Sequence, residues 1–181
     1  MPQHESLRIL HTACWQELAR AADARDHEWH TMVLATSDGA EPDARTVVLR
    51  GVDRARGELL FYSDARSRKV AQMARQPRAC LVAWSPRLQW QLRLRVDLRP
   101  DLGGREASSH WARLHGITGR SDFLADPTAA CPQLPLEPSR APLDHFAVIT
   151  AQVRRMEWLE LHASGHRAAV LSDDVLQWVD A

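Results

Sequence analysis

Phe61-Tyr62-Ser63-Asp64-Ala65-Arg66-Ser67-Arg68-Lys69-Val70 passes from strand to turn to helix within one short stretch. The apolar run from Leu59 to Tyr62 reads as a strand end. Ser63 to Arg66 is a polar turn. Ser67, Arg68 and Lys69 then open a helix that runs to about Gln76, where Pro77 stops it. A helix start presents backbone N–H groups without partners and the positive end of the dipole. A hydroxyl, a guanidinium and an ammonium at that place suit a phosphate group, and they equally suit an exposed basic first turn. Lys69 is the only lysine in the chain; the other 22 of its 23 basic residues are arginines.

Outward from this stretch the pattern is mostly β. His30 to Thr36, Pro42 to Val52, Glu58 to Tyr62 and Arg78 to Trp84 read as strands, with turn signals at Ser37-Asp38-Gly39 and at Asp53 to Gly57. Leu88 to Arg99 alternates strictly, Trp90, Leu92, Leu94, Val96 and Leu98 against Gln91, Arg93, Arg95, Asp97 and Arg99. One face is therefore core, and Trp84 and Trp90 read as core as well. Phe146 to Val153, Met156 to Leu161, Arg167 to Leu171 and Val175 to Val179 read as further short strands. Residues 6 to 25 are a helix with Leu7, Leu10, Cys14, Leu18 and Ala21 at helical spacing. The helix after Ser67 buries Val70, Met73 and Ala74, and 105 to 114 is a third helix. Gly116 to Pro142 carries five prolines and reads as a long irregular loop. Short strands without β-α-β alternation predict a mainly β, antiparallel barrel or sandwich with helices attached.

The composition narrows the function classes. A chain of 181 residues, 45% hydrophobic and 25% charged, suits one globular domain. Its net charge is zero and its pI about 7.1, so nothing asks for nucleic acid or an anionic membrane as a partner. Cys14, Cys80 and Cys131 are odd in number and far apart, and no histidine pair has metal-ligand spacing. No apolar run reaches the roughly 20 residues of a membrane span, and the first residues lack a signal-peptide pattern. The expectation is a cytoplasmic protein. Dinucleotide-loop, P-loop and nucleophile-elbow motifs are absent.

Three pieces stand in order: Arg45-Thr46-Val47-Val48-Leu49-Arg50, the stretch from Phe61 to Lys69, and Gln91 in the alternating strand. Together they resemble the pyridoxamine 5′-phosphate oxidase family of FMN-binding split barrels. The resemblance is good over residues 30 to 100 and weak elsewhere. It implies a six-stranded antiparallel Greek-key split β-barrel with peripheral helices. It also implies a homodimer with FMN at the subunit interface. The implied roles are specific. Arg45 and Lys69 grip the FMN phosphate, helped by Ser67 and Arg68. The backbone of Thr46, Val47, Val48 and Leu49 runs along the flavin edge. Tyr62 and Ser63 line the ribityl and phosphate side, Gln91 bonds the ring, and Arg50 stands at a substrate-facing position. Trp158 is placed near the flavin.

The C-terminal part departs from the family pattern. Of the three charged positions expected there, only Arg167 remains, and His110-Trp111-Ala112-Arg113 lacks the residues that grip a substrate phosphate in true oxidases. The expected organisation is a single domain, 1–181: N-terminal helix 1–28, core barrel with the FMN motifs 29–100, helix and Pro-rich loop 101–144, C-terminal strands 145–181. The resulting expectation is an FMN-dependent oxidoreductase with an unassigned small-molecule substrate. The alternative is a non-catalytic flavin- or haem-binding protein of the same fold. No side chain reads as an obligatory acid or base, although His110, His115 or His166 could serve, and a deazaflavin in place of FMN stays open.

Overall fold

The computed structural model describes residues 2–113, 145–162 and 165–180. Among these, eight strands and three helices follow one another as α1 (Pro2–Asp23), β1 (Thr31–Ser37), β2 (Pro42–Asp53), β3 (Glu58–Asp64), α2 (Arg68–Arg75), β4 (Arg78–Ser85), β5 (Trp90–Asp101), α3 (Arg105–Arg113), β6 (Phe146–Glu160), β7 (Arg167–Leu171) and β8 (Leu176–Val179). The proline-rich stretch read as a loop, with His115, lies outside the described residues.

Every pairing is antiparallel, and the strand order is β3-β2-β1-β4-β5-β6-β7-β8. An additional β3–β6 pairing closes the first six strands into a barrel. β1, β2 and β3 are joined by hairpins, and β4 returns through α2 to lie beside β1, which is a Greek key. The alternation read from the sequence fills the interior: Met32, Leu34, Val47, Leu49, Leu59, Phe61, Leu81, Leu92, Leu94, Val96 and Leu98 are all buried. Each such side chain contributes about 1.5–3 kcal/mol on leaving water. α1 lies across β2, β7 and β8, with the five predicted residues buried.

Four expectations are corrected. The two strands read at Phe146 to Val153 and Met156 to Leu161 are one strand, β6. Val96 pairs with Val153 and Arg95 with Arg155, so Arg154 is the extra residue of a β-bulge. The bulge interrupts the period-2 pattern and mimics a break. It also lets the first half of β6 close the barrel on β3 while the second half carries β7. Strand β5 starts at Trp90 rather than Leu88, because Gln89 turns with φ 56°. On α2 the third inward residue is Gln72, not Ala74, which is exposed. Trp84 is 39% exposed and not core, whereas Trp90 packs edge-on to Trp158.

Candidate functional site

β2 and β3 separate partway along, and the separation makes the site. They pair from Asp53↔Glu58 to Leu49↔Phe61, with Arg50 the extra residue of a second bulge. Beyond it, Tyr62 to Asp64 pair only with β6, while Pro42 to Val48 pair only with β1. The Leu49 N–H donates to the His30 carbonyl at 2.8 Å. In an antiparallel ladder donors alternate sides. Arg45, Val47 and Leu49 therefore direct their backbone groups at β1, and Thr46 and Val48 direct theirs at the edge that β3 has left. A ring with alternating donors and acceptors can dock along such an edge.

The start of α2 stands beside this open edge. Ser67 is its N-cap in extended conformation, and its hydroxyl makes no capping bond. It lies instead 3.2 Å from the Ser63 hydroxyl. Asp64 holds the turn by accepting the Arg66 N–H at 2.8 Å, and its pairing with the Arg66 side chain lowers its pKa. Arg45 reaches the same place from β2. Its guanidinium donates to Thr36 Oγ1 (2.5 Å) and Gln72 Oε1 (3.2 Å) and pairs with Asp43 (2.5 Å). Thr36 and Gln72, both buried, share a 2.6 Å bond. The signal for Gln72 was a polar residue three positions after Lys69 on the inward face of α2.

Lys69 is half-buried, and no hydrogen bond or ion pair engages its ammonium among the described residues. Burial lowers its pKa, and the Arg45 charge adds to the effect, against Asp64 and Asp43. A desolvated cation beside a second cation, with no carboxylate paired to it directly among the described residues, favours a bound anion. Arg68 is exposed one residue earlier. The first-turn N–H groups of α2, Lys69, Arg45 and the Ser63–Ser67 hydroxyls thus fit a phosphate, with a planar ring extending along β2.

The other predicted residues divide by face. Gln91 is half-buried and pairs with Trp84 on the outer sheet surface. Tyr62 points away from Ser63, to the outside of β3, and packs against Phe146 at 5.0 Å beneath α3. Arg50, re-aimed by its bulge, lies over the Tyr62 ring at 5.7 Å. The Tyr62 hydroxyl is 3.0 Å from His110 Nδ1. Alongside runs a cavity of about 400 Å³ between α3 and the β2–β3 pair, lined by Arg105, Glu106, Ser109, His110 and Arg113 among others. Trp158 is 1% exposed, packed among Trp90, Trp178 and the guanidinium of Arg167. Among the described residues it is thus a core side chain. On the outer face Glu157 gathers Arg93, Arg95 and Arg155. Burial alone would raise its pKa, but the hydrogen bonds from Arg155 and Arg95 hold it below the usual value.

Residues 12–99 match the FMN-binding domain model of pyridoxamine 5′-phosphate oxidase. A pyridoxine/pyridoxamine 5′-phosphate oxidase of Leptospira interrogans is 35% identical over 119 residues, 66% of this chain and 53% of that protein. One from Thermobifida fusca is 53% identical over 64 residues, 34% of this chain and 28% of that protein. The chain thus spans about half or less of the curated relatives it matches. Among solved structures, a pyridoxamine 5′-phosphate oxidase-related, FMN-binding protein of Nostoc punctiforme superposes with a TM-score of 0.70 at 20% identity, covering 94% of this chain and 95% of that one. PhzG of Burkholderia lata gives 0.65 at 17% identity, covering 94% and 90%. These two share the fold. The matched region and the closed, split barrel agree: residues 12–99 are an FMN-binding domain of the pyridoxamine 5′-phosphate oxidase kind, and the cofactor this match supports is FMN.

Proposed function

We propose that this protein is an FMN-dependent oxidoreductase that works as a homodimer on a small-molecule substrate. The observation that carries the reading is Lys69, a half-buried ammonium with no hydrogen-bond or ion-pair partner among the described residues, beside Arg45 and next to the edge of β2 that β3 has left. Lys69, Arg45, Ser67 and Arg68 hold the phosphate, with Ser63 turned toward the same place. The Thr46 and Val48 backbone groups meet the polar edge of the ring, and the family resemblance gives Gln91 a bond to the ring. When bound, FMN supplies hydride acceptance at its ring. The chain binds the cofactor, orients it and keeps water from it. The exposed apolar side chains Val33 and Trp84 on the outer face of β1 and β4 support pairing of two copies over that surface.

A second reading, a flavin carrier without turnover, draws support from the C-terminal strands. Trp158 is buried in the core, and Arg167, though exposed, is paired with Glu160 and lies over two tryptophans. Purified protein should be yellow, and FMN should titrate into stripped protein with quenching of flavin fluorescence. Anaerobic bleaching by pyridoxamine 5′-phosphate or by a reduced pyridine nucleotide separates the readings. A bound flavin that neither reduces favours the carrier, and a colourless protein indifferent to FMN ends both.

A further inference from the structure

Four histidines of the described residues have their ring partners defined, and three are fixed by them. His11 Nε2 accepts the Trp15 indole N–H at 3.0 Å. An indole can only donate, so that nitrogen is a lone pair. His27 Nδ1 accepts the Trp29 backbone N–H at 3.1 Å, leaving Nε2 for the carboxylate of Glu17 at 2.9 Å. His30 Nδ1 faces the Ala21 carbonyl at 2.7 Å and must carry the proton. A pure donor or a pure acceptor selects one tautomer in each case.

His110 differs in the chemistry of its partner. Its Nδ1 lies 3.0 Å from the Tyr62 hydroxyl. A phenol both donates and accepts, so the bond survives with the proton on either side. With the hydroxyl donating, Nε2 carries a hydrogen. With the hydroxyl accepting, Nε2 is a free lone pair. The imidazole can therefore offer an acid or a base at Nε2 without losing its anchor. His110 lines the α3 cavity, and Tyr62 holds its other nitrogen on the far side.

We propose that His110 and Tyr62 form a coupled proton-transfer pair, with His110 Nε2 the group that gives or takes a proton from a molecule in the α3 cavity. This rests on the reading of the neighbouring slot as a flavin site. Among the described residues, the charged groups around the pair and its cavity are Arg50 and Asp53 from β2, Glu58 from β3 and Arg105, Glu106 and Arg113 from α3. Burial and Arg113 lower the His110 pKa against Glu106, which keeps the ring neutral at neutral pH. Burial raises that of Tyr62 against Arg50 and Arg113, which keeps the phenol protonated over the same range. The pair is thus two neutral groups joined by one hydrogen bond, whose direction reverses when the hydroxyl rotates and the ring proton exchanges between Nε2 and Nδ1.

Tyr62 is the only tyrosine in the chain, so cofactor-free protein labelled with [13Cζ]tyrosine gives one resonance. It should show an inflection below the ordinary histidine value of 6.5 as His110 charges and the hydrogen bond is forced into one direction. The His110→Gln variant should lose that inflection, and His110→Asn should do the same if Gln proves unstable. Acylation of neutral imidazole by diethyl pyrocarbonate, mapped by mass spectrometry, should modify His110 with the same pH midpoint. A tyrosine signal that is flat through the histidine range overturns the proposal. So does an inflection that survives in the variants, or a His110 that resists acylation in folded protein. Because no flavin is present, these outcomes are independent of FMN binding. Failure of the flavin reading would show separately, as protein that does not take up FMN.

Discussion

Lys69 is the residue on which the cofactor argument turns. Its charge is half-buried and makes no direct pair among the described residues, so removing it should cost mainly binding and little folding. A charge-assisted hydrogen bond contributes about 1.5–3 kcal/mol, and Lys69→Ala should weaken FMN binding by about 10- to 150-fold, read by flavin fluorescence titration. Gln72→Ala acts differently. It strips Thr36 and Arg45 of a shared partner in a buried place and should destabilise the fold by about 1–3 kcal/mol in a denaturant melt. The carboxylates give a pH dependence whose sign is fixed. Asp64 and Glu157 titrate below their ordinary values of 3.8 and 4.5 in the folded chain. They contribute stability above those values, and it is lost as pH falls through the folded pKa values. Thermal midpoints should therefore hold from neutrality into mild acid and drop below about pH 4, and Glu157→Gln should flatten part of that drop.

At the scale of elements, two bulges do the architectural work. Arg50 ends the β2–β3 pairing and opens the edge of Thr46 and Val48; Arg154 lets β6 serve two partners. Because side chains alternate with period 2, removing a bulge residue inverts every side chain beyond it. Deleting Arg154 should turn Met156 and Trp158 outward and destabilise the protein more than Leu94→Ala, a core truncation expected to cost about 2–5 kcal/mol. Comparing the two thermal midpoints checks this. Neither bulge was legible in the sequence. A bulge shows only as a missed beat in an alternating pattern, and at Gln152 to Met156 that beat reads as a strand end.

At the scale of the whole molecule, the outer face of β1 and β4 is where a second copy would sit. Trp84→Glu should shift sedimentation from dimer to monomer with an unchanged far-ultraviolet spectrum, and FMN affinity should fall with it; a dimer that persists would refute the surface. The sequence by itself determined the barrel strands, because strict alternation in β5 admits one buried face. It also placed a hydroxyl and two cations at one helix start, because Ser67, Arg68 and Lys69 are consecutive. Only the tertiary structure decided the rest. Closure of β3 on β6, the meeting of Arg45 with Gln72, the burial of Trp158 and the contact of Tyr62 with His110 join residues 27 to 94 positions apart or set a face of a strand. Such meetings depend on register and barrel closure, which no local pattern encodes.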